Sequence, residues 1–147
     1  MKNTTGIGDA TEWQVAAALV HAGKKLLRPL SSAMRYDFLI DEENGRFTRV
    51  QCKTGLLKDG HVVFRLYSVS GHDTRSKHYA GQADAFGVYC PQTQRSYLVP
   101  MSAIAECRFF ATLRVQPTKN GQRRRTRPAE DFEIRPASSP GTAGSTR

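Results

Sequence analysis

The chain has 147 residues, 39% of them hydrophobic and 24% charged, an ordinary globular composition that suffices for one domain and leaves little room for a second. Its 22 Lys and Arg against 13 Asp and Glu give a net charge of +9, which favours a polyanionic partner through phosphate neutralisation and counterion release. Three scattered cysteines, Cys52, Cys90 and Cys107, exclude a disulfide framework and lack zinc-ligand spacing, so buried reduced thiols are expected.

The N-terminus lacks the apolar core of a signal peptide and no run approaches membrane-spanning length, so a soluble cytoplasmic protein with no membrane partner is expected. The last 34 residues, from Arg114, hold eight basic and three acidic side chains. That accounts for +5 of the charge and leaves +4 on the preceding 113 residues, so the body is mildly basic as well. No internal repeat is present.

Residues 7–22 show the first helical pattern, with Ile7, Ala10, Thr11, Val15, Ala18, Leu19 and Ala22 near the spacing of one helix face and Gly23 as a stop. Glu12 precedes Val15, Ala16 and Leu19 by three, four and seven positions, which sets a carboxylate on an apolar flank. Burial there is costly unless compensated. A capping or helix-dipole role is one reading, and a metal ligand or water-positioning acid is the other.

Residues 25–30 predict a short strand, with Pro29 favouring an edge. Residues 36–41 and 47–53 predict a hairpin, because two runs rich in β-branched and aromatic residues flank a segment that ends in Asn44-Gly45. Pairing about Asn44 sets Asp37 opposite Gln51, and Lys53 projects from the same side through the two-residue period of a strand. Residues 55–60 then predict a turn, residues 61–69 a third strand, and residues 70–82 a basic loop gathering Arg75, Lys77, His78 and Tyr79 as candidate phosphate and stacking contacts.

Residues 85–90 and 97–99 predict a second hairpin, residues 100–106 a helical turn begun by proline, and residues 109–115 another strand. Residues 119–127 form a basic loop with Lys119, Arg123, Arg124 and Arg125, and residues 131–134 a brief return of structure. Residues 1–135 are expected to be one domain and residues 136–147, rich in Gly, Ser and Pro, a disordered tail.

Glu12, Asp37, Gln51 and Lys53 together suit metal-assisted phosphodiester hydrolysis. Asp37 offers a hard anionic oxygen for Mg²⁺, Gln51 and the backbone carbonyl of Cys52 offer neutral ones, and Lys53 offsets charge growing on phosphorus. Glu12 restores the negative charge that Gln51 does not supply.

Arg35-Tyr36-Asp37 and Val50-Gln51-Cys52-Lys53-Thr54-Gly55, after a helix holding Gly8, Glu12 and the run from Ala16 to Leu19, resemble the PD-(D/E)XK nuclease superfamily, and most of all its intron-associated homing endonucleases. The likeness continues through residues 86–91, 97–100 and 117–122 and Asp131-Phe132, nearly all of the chain except the tail. It implies an α/β (α+β) restriction-endonuclease-like core, a mixed central sheet flanked by helices, with Asp37 and Lys53 in the metal and lysine positions and Glu12 as the acid of the first helix. Tyr36 stands where proline is usual and Gln51 where an acid is usual, although the homing branch is similar in carrying Gln there.

The function this implies is a Mg²⁺-dependent endonuclease acting on double-stranded DNA, with Mn²⁺ as a substitute cation and Arg35 among the DNA contacts. One hairpin provides one active centre, so cutting both strands calls for a homo-oligomer, a dimer or a tetramer. A junction-selective nuclease similar to Holliday-junction resolvases is the alternative enzyme, and a DNA-binding module with a decayed site the alternative without catalysis.

Overall fold

A computed structural model describes residues 4–70, 73–78, 81–117 and 126–138. Helix α1, Thr4–His21, buries Thr11, Val15 and Leu19, a single stripe at four-residue spacing, while Ile7 stays 45% exposed. Gly23 ends it with φ of +85°, Gly23 N–H donating to Val20 O at 2.9 Å and Lys24 N–H to Leu19 O at 3.0 Å. That pair of bonds is a Schellman closure, which needs the left-handed backbone that glycine adopts at little cost.

The strands follow as β1 (Lys25–Leu27), β2 (Phe38–Asp41), β3 (Phe47–Thr54), β4 (Leu56–Lys58), β5 (His61–Arg65), β6 (Tyr67–Ser70), β7 (Asp73–His78), β8 (Ala85–Cys90), β9 (Arg95–Pro100) and β10 (Phe110–Arg114). Five of them make the expected mixed sheet in the order β1-β2-β3-β8-β9. β3 and β8 run parallel, Val50 beside Ala85 through Thr54 beside Tyr89, and the other contacts are antiparallel. A parallel pair needs a long crossover. Here the crossover carries β4 to β7 in place of a helix.

β8 has its buried side chains on both faces. Phe86, Val88 and Cys90 meet Val62 and Phe64 of β5 and Ala111 and Leu113 of β10, so the second sheet, β10-β5-β4, covers that face. α1 covers the other, where Val15 and Leu19 pack on Phe38, Ile40, Val50 and Cys52. Where the sequence predicted flanking helices, the described residues hold one α-helix and two 3₁₀ turns, Met101–Ile104 and Ala129–Asp131.

Four local expectations change. Residues 55–60 hold β4 as well as a turn, whose Asp59 and Gly60 have φ of +50° and +76°. The predicted strand 61–69 is broken at buried Leu66, so β5 and β6 enter different sheets. Residues 73–78 of the predicted basic loop are β7, paired with β6. Of the expected tail, Ala137 donates to His21 O at 3.0 Å and so covers a carbonyl at the end of α1, while residues 139–147 lie outside the described residues. Cys52 and Cys90 are buried thiols, and Cys107 is only partly buried.

Candidate active site

The β2–β3 ladder pairs Phe38 with Val50 and Asp41 with Phe47, symmetric about Asn44 as the turn residues predicted. Beyond Phe38 the strands part. The N–H of Asp37 still donates to Val50 O at 2.8 Å, and its Oδ2 accepts the N–H of Cys52 at 2.7 Å. A carboxylate thus takes the edge of β3 that β2 has vacated, satisfying a backbone donor that would otherwise lack a partner. On β3, Val50 and Cys52 turn to α1, while Gln51 and Lys53 lie half-buried on the opposite face.

α1 brings Glu12 to this point. The helix begins at Thr4, so Glu12 lies two turns in, beyond the first turn where a capping or dipole role operates. Its Oε2 accepts from Arg28 Nη2 at 3.0 Å, and its carboxyl lies within electrostatic reach of that of Asp37. The helix comes close because Gly87 lies beneath it: a Cβ there would stand 2.5 Å from Val15 Cγ1 and 3.1 Å from Val50 Cγ1.

The electrostatics follow from this crowding. Burial first, then the charge of Asp37, pushes the Glu12 carboxyl above its usual range, with Arg28 opposing. Burial also raises Asp37, against the Cys52 N–H, the Glu12 hydrogen bond and the Lys53 ammonium. Two adjoining carboxyls of this kind resist ionising together. Burial likewise keeps the Cys52 thiol protonated, reinforced by the charges of Asp37 and Glu12.

Lys53 Nζ donates to the backbone oxygen of Tyr67 at 3.0 Å. Burial brings its pKa down to about 8, with Asp37 pulling it up and Arg35 and Arg65 pressing it further down. Gln51 Nε2 donates to Cys52 O at 3.4 Å, so the amide presents its nitrogen to that carbonyl. Among the described residues no three His, Cys, Asp or Glu side chains converge. Two neighbouring carboxyls supply hard oxygens whose repulsion a divalent cation would relieve.

Of the other residues named from sequence, Arg35 is beside the site, with Nε donating to Gln82 Oε1 at 2.6 Å and Nη1 to Ser68 Oγ at 2.7 Å. Arg75, Lys77 and His78 have their backbone in β7, and their side chains lie outside the described set. Tyr79, Lys119, Arg123, Arg124 and Arg125 are outside the described residues. Sequence reasoning missed Arg28, whose guanidinium also stands 5.5 Å over the Trp13 ring, and Arg65 and Tyr67 beside Lys53. No spacing rule links Arg28 to Glu12, because a tight helix stop followed by β1 creates the meeting.

A mixed sheet packed on one helix, with an acid where two strands part and a lysine on the longer of them, defines a restriction-endonuclease-like nuclease core. The sequence profile of the PD-(D/E)XK endonuclease family matches residues 2–135, and the chain belongs to that family. Among solved structures, that of a bacterial homing endonuclease, I-Ssp6803I, matches over 90% of this chain and 89% of its own with a TM-score of 0.67. At 20% identity that likeness concerns the fold. No curated protein matches the chain by sequence.

Proposed function

We propose that this chain is a Mg²⁺-dependent endonuclease hydrolysing phosphodiester bonds in double-stranded DNA, with the site preference of a homing enzyme. The observation that carries the reading is the Asp37 carboxyl at the open end of the β2–β3 hairpin, its Oδ2 accepting the Cys52 N–H at 2.7 Å, with Glu12 and Lys53 within electrostatic reach of it. Asp37, Glu12 and the Cys52 carbonyl would hold the cation, which when bound supplies Lewis-acid polarisation of the phosphate. Mn²⁺ would substitute on the same oxygens. With a pKa near 8, Lys53 is mostly cationic at neutral pH and offsets the negative charge that grows on phosphorus. Gln51 orients the Cys52 carbonyl and adds no charge of its own.

Residues 1–135 serve as the single nuclease domain in this reading, and the proposed substrate places its work in the cytoplasm. Arg35, the β7 residues Arg75, Lys77 and His78, and Tyr79, Lys119, Arg123, Arg124 and Arg125 are the proposed contacts to the DNA backbone. The likeness in fold to a homing endonuclease supports the site-preference part of the proposal.

Relaxation of supercoiled plasmid with Mg²⁺ tests the chemistry. Asp37→Ala and Lys53→Ala are each expected to lower the rate by about 10²-fold or more, the range for losing one transition-state stabilising group; equal rates in all three proteins would remove the assignment. Sequencing of cleavage products from a random-site library tests site preference. Preferential cutting of four-way junctions would instead give the chain to the resolvase-like alternative.

A further inference from the structure

Behind Lys53 stands an aromatic cluster that the hydrolytic site does not use. Tyr67 meets Phe109 at 6.2 Å and 89° and Phe110 at 5.9 Å and 83°, two edge-to-face contacts. Arg65 lies 5.8 Å over the Tyr67 ring and Arg108 5.0 Å over that of Phe109. Aromatic side chains of this size ordinarily bury 150–250 Å² each in a core. Phe109 and Phe110 are instead 48% and 49% exposed. The cluster is tied to the chemistry, since the Tyr67 carbonyl is the oxygen that Lys53 Nζ bonds.

We propose that Tyr67, Phe109 and Phe110, framed by Arg65 and Arg108, form a DNA subsite that takes a base lifted from the stack beside the phosphate presented to Lys53. Guanidinium groups supply charge complementarity to the flanking phosphates, and half-exposed rings supply a stacking surface that every base can use. Intact duplex hides its base faces, so rings of this kind engage DNA where a step has been opened. The inference rests on the DNA-endonuclease reading and adds the state of the DNA that the enzyme holds.

The test is fluorescence anisotropy in EDTA, with a labelled duplex and the same duplex carrying one unpaired central base. The wild-type chain is expected to prefer the second by about 5- to 150-fold, the range of one base stacked on protein aromatics. A chain with Phe109→Leu and Phe110→Leu stays apolar there and loses that preference, whereas Phe109→Trp retains it. Arg65→Gln weakens both complexes and lowers the slope of log affinity against log salt by about 1.

Absence of the preference in the wild type, or its persistence in the double leucine variant, would overturn the subsite. So would a wild-type dimer that the leucine variant dissolves without DNA, because the rings would then face a second copy. Plasmid cleavage measured in parallel separates the two readings. Cleavage lost in Asp37→Ala but without bulge preference sinks the subsite alone, and neither binding nor cleavage sinks both.

Discussion

Asp37 is held where its charge is opposed. Its folded pKa lies above the ordinary carboxylate value, so its contribution to stability is full at pH below that value and lost as pH rises through the folded one. Once ionised without a cation it is therefore a destabilising group. Asn keeps an oxygen for the Cys52 N–H and carries no charge. Asp37→Asn is expected to melt higher than wild type in EDTA at pH 7, by about 2–4 °C for each kcal/mol relieved. The gain should shrink as pH falls and the wild-type carboxyls take up protons. Calorimetry showing a lower melting temperature at pH 7 would refute the crowded-carboxyl account. In the proposed function Lys53 sets the alkaline side of activity: with a pKa near 8, its cation is lost as pH rises through that value, and the turnover rate at saturating DNA and Mg²⁺ should fall there. A flat profile from pH 7 to 10 would show that its charge is not used.

α1 and β8 meet over Gly87, and this contact fixes how far Glu12 stands from Asp37. Gly87→Ala forces a methyl group against Val15 and Val50, both fully buried, at an expected cost of about 1–3 kcal/mol. Val15→Ala makes room for it, so the two substitutions together should cost less than their sum, with a coupling of at least about 0.5 kcal/mol in urea unfolding. Additive costs would place the strain elsewhere. Strands β2, β3, β8 and β9 were legible because their runs are long enough to show alternation or a buried stretch and are bounded by turn residues. β4 was not, since its three residues are all exposed and carry no pattern. β5 and β6 read as one run because alternation continues through Leu66, and only pairing partners separate them. β7 has no apolar period to read. In the site, Asp37, Gln51 and Lys53 followed from the register of one hairpin. Arg28 and the Tyr67 carbonyl did not, because residues distant in sequence meet Glu12 and Lys53 only after the chain folds.

At the scale of the whole chain, β8 and β9 line both cores: Phe86, Val88, Tyr97 and Val99 belong to the one against the second sheet, while Tyr89 and Leu98 pack against the one beneath α1. Neither core can open without stripping a wall from the other. One cooperative calorimetric transition is expected, with equal calorimetric and van't Hoff enthalpies. The same count of elements bears on cleavage. In the proposed function each chain carries one Glu12–Asp37–Lys53 centre, whereas a duplex has two strands to cut, so simultaneous double-strand cleavage would require a second copy bound to the same site. On supercoiled plasmid, dilute protein should accumulate nicked circles, and higher protein should yield linear product directly with a rate rising faster than first order in chain concentration. Linear DNA appearing with first-order dependence across that range, and without a nicked intermediate at its dilute end, would contradict an assembly formed from separate chains on the DNA.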